Sequence, residues 1–207
     1  MDELRLTGLA VVAGFIIGVA GTASAGLKGT IKLGEDEGGA MFAGMAKVSF
    51  HKVVKTAEQK AGGKVSWMAM ENIDGYLFHM ATVVAKDRSI KVVTLDSGTG
   101  KVVAVEPRKE GKKEKEKEKE AKKIPFTGTL KAGDAKEADY PYLAKIPLEK
   151  AMKIAETKYP GKFYEIYIYE ANGFLFYGIE IARKGKKGLF KIDVDAGTGK
   201  IANTEEM

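Results

Sequence analysis

The sequence predicts an α+β protein of two tandem two-layer domains, each with one main helix packed on an antiparallel β-sheet. Three observations predict this class. The chain of 207 residues repeats itself at an offset of 98 or 99 positions. Each copy passes from apolar residues at helical spacing to apolar residues that alternate with period two. The hairpin dipeptides Asp74-Gly75 and Asn172-Gly173 stand at equivalent places in the two copies.

The N-terminal segment, residues 1–25, predicts an export signal. Residues 6–27 carry no charge, and 9–20 form an apolar core. The small residues 23–25 follow at the positions that a signal peptidase recognises, so we expect cleavage before Gly26 and a periplasmic or secreted protein. The uncharged stretch is also long enough to span a bilayer, which leaves a retained anchor as the alternative. Membrane association is expected only in that case.

The repeat sets the domain boundaries. Residues 29–34 return as 128–133, and 96–101 return as 195–200. This pattern predicts a tandem duplication in which each copy buries its own apolar core. The expected domains are residues 26–106, with a core at 48–106, and residues 124–207, with a core at 146–203.

Charge is distributed unevenly along the chain, which has a net charge of +6. Residues 108–123 hold nine Lys or Arg and five Glu, and the Lys-Glu alternation predicts a flexible charged linker at 107–123. Elsewhere, 48–106 has eight positive and six negative residues, and 146–207 has ten and nine. Because neither segment has charge of one sign, we expect no nucleic-acid partner.

One helix is expected in each copy. Ser49 stands at the N-cap position of the first and Pro147 at the start of the second. Gly62 and Pro160 are expected to end them. The residues expected to face the sheet are Val53, Val54 and Ala57 in the first helix, and Leu148, Ala151, Met152, Ala155 and Tyr159 in the second.

Strands follow each helix. In the second copy Tyr164, Ile166 and Ile168 alternate with Phe163, Glu165, Tyr167 and Tyr169, which predicts two distinct faces. The next strands should bury Leu175, Tyr177, Ile179, Ile181, Ile192 and Val194. A Gly-Thr-Gly-Lys turn then leads to a short last strand, expected at 101–105 and at 200–203.

The order of these motifs resembles a known family. The helix, Pro-Gly-Lys at 160–162, the Asn-Gly hairpin, Tyr177 and the ending at 195–201 are similar to the PepSY domain, in both 48–106 and 146–203. The resemblance implies one helix on an antiparallel sheet. It also implies either a role like that of propeptides of thermolysin-like metallopeptidases, in folding and inhibition, or that of a stand-alone envelope module. The first copy departs from the family pattern at two positions, Gly62 and His79, where Pro and Tyr are usual.

Catalytic motifs are not found in the sequence. The chain has no Cys, no His-Glu-x-x-His and no Gly-x-Ser-x-Gly, and its two His are 28 positions apart. Residues 98–101 lack the spacing of a phosphate loop, and 193–197 lack the downstream Glu of a calcium loop, so both are expected to be turns. We therefore predict a protein that is not an enzyme and has no cofactor.

Methionine is concentrated in the first copy, which holds five of the eight together with both His. Thioether and imidazole ligands suit copper, and Met41, Met45, His51 and His79 are the candidate metal ligands. However, Met45, Met68 and Met70 align with Leu143, Ile166 and Ile168, so core filling is the favoured interpretation and no metal site is predicted.

Aromatic residues are expected on the sheet face away from the helix, where one helix cannot cover them. The residues are Trp67, Tyr76, Phe78, Tyr167, Tyr169, Phe174 and Phe176. Such a surface would contact a protein or peptide partner in the cell envelope. The alternative is that residues 27–47 and 125–145 fold over it, or that the two domains dock sheet to sheet.

Together these expectations describe a non-enzymatic exported protein that binds or modulates an extracytoplasmic protein, as a peptidase inhibitor or in a chaperone-like role. The alternative function is that of a periplasmic metal-binding or metal-sensing protein. The identity of the partner and the oligomeric state are left open by the sequence.

Overall fold

The computed structural model describes residues 26–34, 37–108, 125–183 and 188–207. The predicted export signal at 1–25 and nearly all of the predicted linker lie outside these residues. Within the described part of the chain, no helix combines the length and hydropathy needed to cross a membrane.

The two halves have the same order of main elements. The elements of the first half are α1 (Ala40–Met45), α2 (Phe50–Ala61), β1 (Gly63–Ile73), β2 (Tyr76–Ala85), β3 (Ile90–Asp96) and β4 (Val102–Pro107). Those of the second half are a 3-10 turn (Glu137–Asp139), α3 (Tyr140–Leu143), α4 (Leu148–Lys158), β5 (Lys162–Ala171), β6 (Phe174–Ala182), β7 (Leu189–Asp195) and β8 (Ile201–Glu206).

The strands form one eight-stranded antiparallel sheet in the order β4-β3-β2-β1-β5-β6-β7-β8. The halves meet where β1 pairs with β5, through Trp67 with Tyr167, Met68 with Ile166 and Ala69 with Glu165. We call this pairing the seam. With α2 and α4 packed on one face of the sheet, the predicted α+β class is confirmed.

The main helices begin and end as the sequence predicts. The Ser49 hydroxyl accepts from the Lys52 N–H at 3.4 Å, and Gly62, with φ of 75°, ends α2 in the left-handed conformation that glycine adopts readily. Helix α4 starts directly after Pro147 and stops at Lys158. All the predicted inward residues are buried except Tyr159, which is half-buried.

The prediction that each copy buries its own apolar core is wrong. One buried cluster runs through both halves, with the Phe50 ring 5.8 Å from the Phe163 ring. The short helices cross over, since α1 packs on β5 and β6 while α3 packs on β1. The reason is the seam, which places the two helix layers on the same face and lets each half cover part of the other.

The prediction of which β5 residues face the helices is wrong at Phe163, because the strand contains a β-bulge. The pairing with β6 shifts from Phe163 opposite Ile181 to Glu165 opposite Glu180, which leaves Tyr164 as an extra residue. Phe163 therefore faces the helices and is buried, although strict alternation placed it on the side of Glu165. The last strands, β4 and β8, also extend further than predicted.

The Gly-Thr-Gly-Lys turns each carry a buried aspartate. The Asp195 carboxylate accepts hydrogen bonds from the N–H and hydroxyl groups of both Thr198 and Thr129, at 2.6 to 2.7 Å. Asp96 makes the same four contacts with Thr99 and Thr30. Burial alone would raise the pKa of each aspartate, but these hydrogen bonds outweigh it and lower the pKa. The side chains thus tie the segment before each helix to its turn.

Candidate functional site

The predicted aromatic surface lies on the sheet face away from the helices, but part of it is covered. Phe78 and Phe176 are fully buried. Gly29 lies against Phe78, and the Phe126 ring packs edge-on at 5.1 Å against Phe176. The surface is therefore not exposed at these two residues, where the structure shows the alternative expectation, that the segments before the helices fold over this face.

Trp67 is buried as well, with 9% of its surface exposed, so the expectation of an exposed surface fails there too. The other four aromatic residues, Tyr76, Tyr167, Tyr169 and Phe174, are half-buried. Trp67 packs with Ala69 and Met80 and against Tyr167, so the seam has a small apolar cluster on this side as well. Trp67 and Tyr167 come from different halves.

Charged residues that the sequence did not single out surround these aromatic rings. We define the outer-face cluster by the seven residues on this face near the seam and on the strands of the second half. They are Trp67, Glu165, Tyr167, Tyr169, Glu180, Lys191 and Asp193.

Two carboxylates form the centre of the outer-face cluster. Glu165 on β5 pairs directly with Glu180 on β6. The Trp67 indole Nε1 donates to Glu165 Oε1 at 2.6 Å across the seam. Like charges directly opposite each other in a sheet destabilise it, so this pair opposes folding when both groups are ionised.

Burial changes the ionisation of these carboxyl groups. Desolvation, and secondarily the charge of Glu165, raise the pKa of Glu180 to about 7. Desolvation raises the pKa of Glu165 as well, although the Trp67 hydrogen bond partly offsets it. Glu71, nearby on β1, has its pKa raised first by burial and then by Glu165. The raised pKa values reflect incomplete solvation of these carboxyl groups, and Glu180 is therefore only partly ionised near neutral pH.

A second set of contacts holds one cation and one buried carboxylate. Lys191 Nζ lies 3.6 Å from Asp193 Oδ1, and 5.9 and 5.4 Å from the ring centroids of Tyr167 and Tyr169. The Tyr169 hydroxyl donates to Asp193 Oδ1 at 2.8 Å, and Asn203 Nδ2 donates to its other oxygen at 3.1 Å. Burial raises the pKa of both tyrosines, so they are neutral hydrogen-bond donors.

Gly178 makes room for the Tyr167 ring. It pairs with Tyr167 across β5 and β6, and a Cβ added at this position would overlap the Tyr167 ring. Tyr167 can therefore lie flat across β6 only because residue 178 has no side chain. The first half has Met80 at the equivalent position, which fills the same space with an apolar side chain.

The charges of the outer-face cluster belong to the second half alone. At the repeat positions of Glu165, Glu180, Lys191 and Asp193 the first half has Trp67, Thr82, Val92 and Thr94. The same sheet therefore forms without these charges. Comparing the two copies position by position along the outward face would have found them, whereas the period-two pattern alone marks them only as solvent-facing.

The candidate metal ligands lie in different surroundings. Met41 is exposed and Met45 packs on the core. His51 Nε2 lies 3.4 Å from Glu156 Oε2, while His79 is fully buried with its Nδ1 2.8 Å from the Ser97 hydroxyl. Over the described ranges, no three His, Asp or Glu side chains are grouped so that they could hold a metal ion.

The outer-face cluster places hydrogen-bond acceptors beside apolar rings. Half-buried carboxylates accept hydrogen bonds from N–H donors and attract cations, and Trp67, Tyr167 and Tyr169 offer flat apolar area beside them. This combination suits a partner segment that presents lysine or arginine next to apolar groups.

Comparison with known proteins gives one family match and two structural matches. Residues 145–205 match the PepSY family, described as "Peptidase propeptide and YPEB domain". A candidate lipoprotein from Clostridium difficile 630 matches at 17% identity and a TM-score of 0.43, over 78% of this chain and 95% of that one. The YpmB protein from Bacillus subtilis matches at 14% identity and a TM-score of 0.29, over 78% and 100%. No curated protein matches.

Proposed function

We propose that this chain, whose residues 145–205 form a PepSY domain, is a non-catalytic protein of the cell envelope that binds an extracytoplasmic peptidase or client protein. The binding surface is the outer-face cluster. The partner presents a basic side chain to Glu165 and Glu180, and the half-buried rings of Tyr167 and Tyr169 supply the apolar contact around it.

The observation that carries this proposal is the direct pairing of Glu165 with Glu180. The pair is partly desolvated, and burial raises the pKa of both carboxyl groups although the charge of Lys191, opposite Glu180, offsets part of the rise. The first half builds the same strands with Trp67 and Thr82 at these positions. A feature that opposes folding and is not needed for it is typical of a binding site.

Two further observations support the location and the kind of partner. Residues 6–27 are uncharged and end in small residues, as in exported proteins. The matched family is described as a peptidase propeptide domain, which makes an extracytoplasmic peptidase the first partner to test. The sequence contains no His-Glu-x-x-His, so the assay supplies the peptidase as a separate protein.

The test removes charge while keeping shape. The Glu165→Gln/Glu180→Gln variant should bind its partner about tenfold more weakly or worse, the loss expected when an interface hot spot is removed. At pH 8 the same variant should unfold at a higher temperature than the wild type, because the like-charge contact is gone. A variant that merely damages the fold would lose binding and stability together.

Binding is measured by titrating the protein into a secreted thermolysin-like metallopeptidase and following peptide hydrolysis, with capture from an envelope fraction as a second assay. Glu137→Gln, an exposed carboxylate in the 3-10 turn before α3 and away from the outer-face cluster, is the matched control and should behave as wild type. Unchanged hydrolysis together with equal capture by wild type and double variant contradicts the proposal.

A further inference from the structure

The helix side of the molecule carries a dense set of exposed lysines. They lie just before α2 and α4, on the helices themselves and in the two Gly-Thr-Gly-Lys turns beside them. We call this set the lysine face. Its members form five repeat-equivalent pairs: Lys47 and Lys145, Lys52 and Lys150, Lys55 and Lys153, Lys60 and Lys158, and Lys101 and Lys200.

The ammonium groups of the lysine face make no contacts that stabilise the described part of the fold. None of the ten has an ion-pair or hydrogen-bond partner for its ammonium group among the residues that the structure describes. Three lysines elsewhere do have partners, since Lys64, Lys91 and Lys162 each donate to a backbone carbonyl at 3.0 to 3.1 Å. The lysine face is therefore available to an outside ligand.

The two halves agree at all five positions of the lysine face. Exposed helix and turn positions accept many side chains with little effect on stability, so folding alone does not require lysine at each of them. The outer-face cluster shows the opposite pattern, because its charges are present in one half only. Lys32 and Lys131, outside the face, agree as well, so the agreement supports a role shared by both halves only together with the density of lysines on this face.

The fold brings the two sets of lysines onto one surface. Helices α2 and α4 lie side by side in opposite directions, since His51 near the start of α2 contacts Glu156 near the end of α4 at 3.4 Å. At the other end Glu149 of α4 contributes to raising the pKa of Glu58 of α2. The net charge of each chain segment does not reveal this surface, because the carboxylates that balance the lysine charges lie mostly on the strands and loops.

In the second half the lysine face borders a groove. It has a volume of about 690 Å³ and lies between α4 and the start of β8. Four lysines of the face border it, and Ile154 and Ile201 give it apolar wall area. A cationic rim beside apolar side chains suits a phosphate group attached to an apolar body.

We infer that the lysine face docks on the surface of an anionic phospholipid membrane. A broad planar anionic surface can meet both helices and both turns at once, whereas an acidic peptide would fill one groove and leave the other half without a role. Each lysine close to such a surface strengthens binding by about fivefold at low salt. This inference is independent of the proposed function, because docking by the helix side leaves the outer-face cluster pointing away from the membrane.

The test uses the full chain and two kinds of vesicle, phosphatidylcholine alone and an equimolar mixture with phosphatidylglycerol, in a flotation assay. Binding to the neutral vesicles measures any contribution of the uncharged residues 6–27. The excess binding to the anionic vesicles measures all basic residues of the chain, including the segment 108–123, and the substitutions below separate the share of the lysine face. We expect a clear excess at low salt that is lost in about 1 M salt, where charges are screened within roughly 3 Å.

Substitution assigns the effect to this face. Changing Lys150, Lys153, Lys158 and Lys200 together to Gln should reduce the anionic excess by about tenfold or more. The equivalent change of Lys52, Lys55, Lys60 and Lys101 should reduce it further when the two are combined. The control changes four exposed lysines outside the face, Lys32, Lys86, Lys131 and Lys136, and should retain most of the excess. All these side chains are exposed, so the variants should fold, which circular dichroism checks.

Three results overturn the inference: no anionic excess at low salt, an equal loss in the control variant, or tighter binding to soluble poly-glutamate than to anionic vesicles. The last would assign the face to an acidic protein partner. None of these results affects the peptidase assay with Glu165→Gln/Glu180→Gln, so the two proposals fail separately.

Discussion

His79 is a core position where the two halves differ in side-chain chemistry. It is fully buried against the Phe50 ring, and its Nε2 has no hydrogen-bond partner among the described residues. In the second half Tyr177 occupies this place, and its hydroxyl donates to the Ile146 carbonyl at 2.9 Å. An unsatisfied buried polar atom costs about 1–3 kcal/mol, so the first half is the weaker part of the core.

Giving the first half the arrangement of the second should stabilise the protein. In His79→Tyr/Ser97→Ala the new hydroxyl can reach the Val48 carbonyl, the counterpart of Ile146. We expect the free energy of unfolding to rise by about 1–2 kcal/mol at pH 7, measured by urea titration. Ser97→Ala alone is the control and should lower it, because Nδ1 then also loses its partner. A double variant less stable than wild type would contradict this account of His79.

The same substitution tests the charge state of His79. Burial lowers its pKa to about 4, below the 6.5 of an exposed histidine, despite the opposing influence of Asp96. The unfolded chain therefore binds the proton more strongly, and the contribution of His79 to stability falls as the pH drops from 6.5 towards 4. The stability advantage of the double variant should grow by up to about 3 kcal/mol over this range. A constant difference would show that His79 is not buried as described.

Glu180 has the opposite pH dependence. Burial, then Glu165, raise its pKa to about 7, so the folded protein holds the proton more strongly than the unfolded chain. Its contribution to stability is therefore lost as the pH rises from about 4.5 to 7. The gain from Glu180→Gln should appear over this range and reach at most about 3 kcal/mol. Urea titrations from acid to alkaline pH measure it, and a gain that shrinks with rising pH would contradict the account.

At the scale of the elements, the aspartates of the Gly-Thr-Gly-Lys turns fix how each chain segment enters its helix. Asp195→Asn keeps the shape of the side chain but removes its negative charge. It also replaces one of the two oxygens that together accept the four hydrogen bonds. We expect the free energy of unfolding to fall by about 2–4 kcal/mol at pH 7, again by urea titration. Asp134→Asn, at an exposed position, is the control. A loss no larger than that of the control would show that the turn does not depend on the carboxylate.

The elements themselves were largely predictable because their signals are local. Ser49 and Gly62 bound α2, and Asp74-Gly75 and Asn172-Gly173 form the hairpins as expected, with positive φ at all four residues. The bulge at Tyr164 was not predictable. Strict alternation assigns each residue to a face by its position along the strand, and a bulge adds one residue with no signal in the residue types. Its effect was to reverse the side assigned to Phe163.

The candidate site was predictable only in part for a related reason. Period two placed Trp67, Tyr167 and Tyr169 on the outward face, as found. It did not show that Phe78 and Phe176 are covered, because the covering segments are distant in sequence and held by the buried aspartates. Nor did it show the Glu165–Glu180 contact, which depends on the register set by the bulge.

At the scale of the whole molecule, the seam decides the architecture. Only three residue pairs join β1 to β5, yet they turn two similar halves into one sheet with both helices on one side. Hairpins are encoded by local turns, but this contact links residues about 98 positions apart and has no turn to mark it. The interlocked short helices strengthen it, with Lys162 Nζ donating to the Gly44 carbonyl and Lys64 Nζ to that of Pro141.

A molecule with one core should unfold as one unit, and Trp67 reports on this directly. It is the only tryptophan of the chain and lies on the seam, hydrogen-bonded to Glu165. Its fluorescence measures the integrity of the contact between the halves, while amide hydrogen exchange in β3 and β7 measures each half separately.

The most direct test of the account is therefore urea unfolding of the full chain followed by Trp67 fluorescence and by exchange in both halves. One shared core predicts coincident transitions, with the same midpoint for the seam, β3 and β7. A Trp67 transition at lower urea than either half, or two halves that unfold at separate midpoints, would show two independent domains and contradict it.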